Sequence, residues 1–208
     1  MQRIVFAIVC ALTLLAACDN GYSYACADGT CLCARGERCA IACHAPPCHL
    51  QCVAENPECS GECANGECVC GPDSSCDFGC QSPPCHVSCD PASRCSGECA
   101  NGTCACDRGA SCEFACGSGP CHVQCAGDNP NCNGECANGS CTCGPRSTCH
   151  FACTDHNCSA SCSSGSHCVL ACPQGRAGTP GCAFTSCAAG TPMVCPDGVT
   201  TTCDAACP

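Results

Sequence analysis

The sequence predicts a small disulfide-rich repeat protein of short β-hairpins and turns, with little or no helix after Ala17. Three observations lead there. Cysteine fills 40 of 208 positions, well above the level of about 10% that already marks a disulfide scaffold. Large apolar side chains are scarce: residues 18–208 hold 18 of them (Leu, Ile, Val, Phe, Met and Tyr together) and no Trp. Such a chain cannot bury an ordinary core, so covalent bonds must stand in for one. The cysteines also recur with a period of 36 to 37 residues, which is the mark of a repeat architecture.

Residues 1–17 read as a signal peptide. Arg3 supplies a positive start, and Ile4 to Ala17 is a 14-residue apolar run. That run is shorter than the roughly 20 residues a bilayer span needs and suits a signal-peptide core. It ends in Leu15-Ala16-Ala17-Cys18. This tetrapeptide resembles the lipobox of bacterial lipoproteins. The resemblance implies cleavage before Cys18 and a lipid on Cys18. It further implies a tether over residues 18–25, anchored to a membrane on the extracytoplasmic side of the cell envelope, periplasmic or cell-surface. The alternative is an ordinary secretory signal cleaved just after Cys18, which gives a secreted protein. Either route exports the chain to oxidising surroundings, where closely spaced cysteines pair. With Cys10 and Cys18 set aside, 38 cysteines remain, an even number.

Residues 26–168 hold four units of eight cysteines. The first is Cys26, Cys31, Cys33, Cys39, Cys43, Cys48, Cys52 and Cys59. The second is Cys63, Cys68, Cys70, Cys76, Cys80, Cys85, Cys89 and Cys95. The third is Cys99, Cys104, Cys106, Cys112, Cys116, Cys121, Cys125 and Cys132. The fourth is Cys136, Cys141, Cys143, Cys149, Cys153, Cys158, Cys162 and Cys168. Even counts predict that most disulfides close within a unit. All 38 are disulfide candidates, and spacing alone leaves their partners open.

Each unit divides into quarters of similar but unequal length. Three quarters carry a C-x-Φ-x-C or C-x-G-x-C strand, as in Cys76-Asp77-Phe78-Gly79-Cys80. Period-2 alternation puts both cysteines and the central residue on one face. The joining segments are rich in Gly, Pro, Asn, Asp and Ser, as turns require. Asn65-Gly66, Asn101-Gly102 and Asn138-Gly139 predict type I′ turns, in which both central residues take positive φ. In that hairpin register Cys63 faces Cys68 with Cα atoms about 4.5 Å apart. Prolines before many strands, such as Pro83-Pro84 and Pro130, argue against long ladders. Because the quarters vary in length, a string of hairpin modules is the expected architecture. A disulfide-stapled β-solenoid with two or four quarters per coil is the alternative.

Residues 169–208 depart from the repeat. Cys172, Cys182, Cys187, Cys195, Cys203 and Cys207 are more widely spaced, and Pro196-Asp197-Gly198 marks a turn. This segment reads as a C-terminal cap with three disulfides.

The chemistry is restrictive. No two successive cysteines are separated by two residues, so C-x-x-C is absent. That removes thioredoxin-type redox chemistry, zinc ribbons and ferredoxin-type cluster binding. Cys31-Leu32-Cys33 and its copies form C-x-C, the chelating unit of metallothioneins, so an exported thiol-rich metal-sequestering protein is one alternative function. His49, His86, His122 and His150 recur beside cysteine, and Glu62, Glu98 and Glu135 recur at the repeat period. Both sets read as solvent-facing positions inherited with the repeat. No catalytic motif occurs, so no enzyme activity, cofactor or metal centre is expected. From residue 18 onward there are 18 acidic residues, 6 Arg and no Lys, a net charge of −12 with His neutral. That excludes nucleic acid as a natural partner. The expected function is a lipid-anchored cell-envelope protein with a stapled acidic repeat domain, structural or binding. Its partners are a membrane, through the lipid, and a protein or cation yet to be identified. An inhibitor-like or toxin-like secreted module is a further alternative.

Overall fold

The computed structural model describes residues 23–25, 29–42, 46–155, 157–172, 175, 177–178 and 180–208. Signal peptide 1–17, Cys18, Cys26 and Cys43 lie outside the described residues. The strands in chain order are β1 (Ser23–Ala25), β2 (Thr30–Cys33), β3 (Arg38–Ala42), β4 (His49–Cys52), β5 (Glu58–Cys70), β6 (Ser75–Cys89), β7 (Arg94–Ala100), β8 (Thr103–Cys106) and β9 (Ser111–Ser118). They continue with β10 (His122–Cys125), β11 (Asn131–Cys136), β12 (Ser140–Cys143), β13 (Thr148–Cys153), β14 (Cys158–Cys162), β15 (His167–Ala171), β16 (Cys182–Cys187), β17 (Met193–Val194) and β18 (Thr200–Cys203). Among the described residues there is no helix.

The chain winds as a β-solenoid of about seven turns, with two strands per turn. One wall is a parallel ladder of β1, β3, the front of β5, the front of β6, β7, β9, β11, β13 and β15. The opposite wall stacks β2, β4, the back of β5, the back of β6, β8, β10, β12, β14 and β16, also in parallel. Period-2 alternation turns every second side chain inward, so that in β2 Cys31 and Cys33 are buried while Thr30 and Leu32 are exposed. Along the first wall Cys39, Cys59, Cys76, Cys95, Cys112, Cys132, Cys149 and Cys168 lie in register, one to each turn. Cys59 and Cys95 close successive eight-cysteine units, and Cys76 stands between them on this column. The repeat therefore spans two turns.

Among the described residues, disulfides close the corners at both ends of the walls. At one corner Cys63–Cys68, Cys80–Cys85, Cys99–Cys104, Cys116–Cys121, Cys136–Cys141 and Cys153–Cys158 join the end of the first wall to the start of the second. At the other, Cys33–Cys39, Cys52–Cys59, Cys70–Cys76, Cys89–Cys95, Cys106–Cys112, Cys125–Cys132, Cys143–Cys149 and Cys162–Cys168 join the second wall to the next turn. Each of these bonds links cysteines adjacent in sequence and stays within one eight-cysteine unit. Cys31 and Cys48 are also disulfide-bonded.

The expected hairpins are corrected. Strands on either side of Asn65-Gly66 do not fold back on one another. Cys63 bonds Cys68 across a corner, with Cα atoms 5.9 Å apart, and Cys63 is in register with Cys80 of the next turn. Asn65, Asn101 and Asn138 do take positive φ, near 50°, but the glycines after them do not. Those glycines serve close approach instead: a Cβ on Gly66, Gly102 or Gly139 would sit 1.9–2.1 Å from the carbonyl oxygen of Cys48, Cys85 or Cys121. Nor do the prolines break the ladders. Pro83 and Pro84 fall between the two paired segments of β6, and Pro57 and Pro130 precede β5 and β11. Corner loops absorb the length variation that had favoured separate modules.

The interior explains why the repeat spans two turns. Its central column on the first wall reads Ile41, Gly61, Phe78, Gly97, Phe114, Gly134, Phe151 and Leu170. On the second wall it reads Cys31, Leu50, Cys68, Val87, Cys104, Val123, Cys141 and Ala160. Large and small residues alternate from turn to turn as far as Phe151 and Cys141. A Cβ on Gly61 would lie 2.5 Å from Leu50, one on Gly97 3.2 Å from Val87, and one on Gly134 2.9 Å from Val123. Each glycine thus receives an aliphatic side chain from the opposite wall of the turn before, so interior density is kept with few large residues.

The segment 169–208 begins as solenoid. β16 adds one more rung to the second wall, with a register shift at Ala160/Ser161, and Cys172–Cys182 closes its corner. β18 then pairs antiparallel with β15, and β17 with β18. Cys187–Cys203 and Cys195–Cys207 lock this antiparallel lid, which covers the open edge that a parallel ladder leaves.

Candidate functional site

The outer faces are the places where function can reside, because cystines fill the interior. On the second wall one outward column contains Thr30 beside His49, Glu67 beside His86, Thr103 beside His122, and Ser140 beside Ser159. His49, His86 and His122 thus occupy alternate rungs, about 9.6 Å apart at the usual strand spacing. Each ring engages the rung that follows. Nδ1 of His49 accepts the Glu67 N–H at 3.3 Å, Nδ1 of His86 accepts the Thr103 N–H at 3.2 Å, and Nδ1 of His122 lies 3.0 Å from the Ser140 hydroxyl. These histidines extend the ladder's hydrogen bonding through side chains. His150 lies on the other wall, between Asn133 and Val169.

Glu62, Glu98 and Glu135 form a column on the first wall, alternating with Gly79, Ala115 and Ala152. Glu135 Oε2 accepts the Cys116 N–H at 3.0 Å. Two cavities lie along this wall. One of about 230 Å³ is bounded by Ser75, Arg94, Ser96, Ser111, Glu113 and Asn131. Another of about 340 Å³ is bounded by Glu113, Asn133, Glu135, His150, Ala152 and Val169. Among the described residues no three His, Cys, Asp or Glu side chains converge as a metal-binding group. No helix there is long and apolar enough to cross a membrane.

The corner between the second wall and the next turn carries features that spacing alone did not single out. Asn56 and Asn129 are fully buried. Nδ2 of Asn56 donates to the carbonyls of Ala34 (2.6 Å) and Glu37 (2.9 Å), and its N–H donates to Ser74 Oγ. Asn129 repeats this with Asp107, Ala110 and Ser147. Both sit where the disulfide loop is one residue longer, with a separation of 7 against 6 elsewhere at this corner. Outside them run ion pairs: Arg35 with Glu55, and Asp128 held between Arg108 and Arg146. Asn56 and Asn129, Arg35 and Arg108, and Glu55 and Asp128 are each separated by the same interval, which is four turns. That interval was the legible signal for these residues.

The arginine hydrogen bonds and charges lower the pKa of Glu55 and Asp128. A hydroxyl bond from Thr200 and the N–H groups of Val199 and Thr200 lower that of Asp197. Asp90 moves the other way, raised by partial burial and then by the charge of Asp107 in the next turn. Comparison with protein-family models, curated proteins and solved structures found no match to this chain.

Proposed function

We propose that this is a lipid-anchored protein of the cell envelope, tethered through Cys18, whose solenoid serves as a rigid, protease-resistant acidic spacer or binding surface without enzymatic chemistry. The cystine framework belongs in an oxidising, extracytoplasmic setting. The observation that carries the reading is the double staple: nearly every turn is closed at both corners, so the walls form a rod about 34 Å long at seven turns of ~4.8 Å. The outward residues recur as columns and do not converge on a reactive centre. The metal-sequestering alternative needs free thiolates, whereas every described cysteine is disulfide-bonded. A thiol titration in denaturant should give near-zero free thiol.

The anchor is tested by metabolic labelling with a fatty-acid probe. Label is expected on the wild type and absent from Cys18→Ser. Label persisting in Cys18→Ser, or a wild-type protein found unlabelled in the medium, refutes the anchor and favours the secreted alternative.

A further inference from the structure

We propose that Cys80 and Cys116 are sites of reversible S-thiolation, the points where an external thiol enters the cystine framework. The six described corner bonds of separation 5 fall into two environments. In Cys63–Cys68, Cys99–Cys104 and Cys136–Cys141 both partners are 0% exposed, and in Cys153–Cys158 both are buried. In Cys80–Cys85 and Cys116–Cys121 one partner, Cys80 or Cys116, is only partly buried, while Cys85 and Cys121 remain 0% exposed. Solvent therefore reaches one defined residue of each bond, and the approach of a thiolate is directed to that side.

The sulfur that would leave already faces hydrogen-bond acceptors. Cys85 Sγ lies 3.4 Å from the carbonyl oxygens of Cys63 and Ser82. Cys121 Sγ lies 3.0 Å from that of Cys99 and 3.6 Å from that of Gly119. In the exchange, the thiolate of a small thiol bonds to Cys80 Sγ as the Cys80–Cys85 bond breaks. Cys85 leaves as a thiolate and takes a proton from solvent, and the resulting S–H donates to the waiting carbonyl. No electrons enter or leave beyond this exchange. Buried Cys85 is screened from a second external thiol; when its S–H gives its proton back, the Cys85 thiolate attacks Cys80 Sγ, the small thiol leaves as a thiolate that takes up a proton, and the turn is resealed. Cys187 and Cys207 in the lid are also partly exposed. Among the described residues, the sulfurs of their partners Cys203 and Cys195 make no such carbonyl contact.

The test exposes the native, full-length mature protein to limiting glutathione, followed by acid quench, alkylation under denaturing conditions and peptide mapping. Glutathione is expected on Cys80 and Cys116 before any other described cysteine, with the alkylating group on Cys85 and Cys121. Transfer to glutathione-free buffer should remove the adducts and restore both bonds. First adducts on the lid cysteines, on any other corner cysteine, or on Cys85 and Cys121 themselves overturn the assignment. Adducts on Cys80 and Cys116 that persist in glutathione-free buffer overturn the resealing step.

Discussion

Gly102 and Gly109 show two different demands on glycine. At Gly102 the φ is ordinary, but the Cys85 carbonyl of the preceding turn leaves no room for a methyl group. Gly109 has φ +76° and open space around it. Gly102→Ala should cost on the order of 3 kcal/mol, as backbone cannot yield to an intruding methyl. Gly109→Ala should cost about 1 kcal/mol, the left-handed penalty alone. Native-state amide exchange at His122, whose N–H donates to the Gly102 carbonyl, reports the first, and at Gly109 itself the second. Asn129→Ala should cost about 2 kcal/mol, because the Asp107 and Ala110 carbonyls lose a buried donor. Loss of protection near Gly127, whose N–H donates to Asn129 Oδ1, is the expected sign. Asp90 gives a pH signature. Its raised pKa means that ionisation is harder in the folded chain than in the unfolded one. Its destabilising contribution is therefore absent at low pH and sets in as pH rises through the carboxylate range. Asp90→Asn should stabilise this corner at neutral pH and be without effect in acid, as read by amide exchange at both pH values.

A single turn is the next unit of behaviour. Its two strands bond to the turns before and after rather than to each other, so contacts are nearest-neighbour and effects should stay local. Each corner disulfide closes only a short loop and contributes about 2 kcal/mol by loop entropy, much less than a long-range bridge. Replacing the pair Cys99 and Cys104 by Ala should loosen the turn from β7 to β8 by roughly that amount. Amides in β3 and β13, several turns away, should keep their protection. A collapse of protection along the whole chain would show that the turns are not independent. The Asn-Gly motif read from sequence did mark this corner and its left-handed Asn, but not the direction the chain takes afterwards.

Across the whole molecule, pairing of sequence neighbours limits misconnection, since each bond of the walls closes a short loop, with separations from 5 to 10. The seventeen described bonds, with Cys31 and Cys48 also bonded, account for every described cysteine. Reduction should therefore raise the mass by about 38 Da, two hydrogens for each of 19 bonds. A smaller gain would mean unpaired thiols. Columns of one residue type follow from stacking equivalent positions, so the histidine and glutamate series are properties of the array.

From the sequence alone came the need for a cystine framework in place of a core, the strands with their inward cysteines, the turn positions and the even grouping of half-cystines, while the disulfide partners stayed open. These are local matters, set by period-2 alternation, turn residues and parity. That each strand pairs with its counterpart one turn onward, and not with its neighbour in the chain, is visible only in the fold. A short strand ending in Asn-Gly can fold back or wind onward with its corner disulfide intact. What selects winding is non-local: Gly61, Gly97 and Gly134 gain a purpose only when Leu50, Val87 and Val123 of the preceding turn lie over them. Gly66, Gly102 and Gly139 likewise answer to backbone that comes within reach only in the stack.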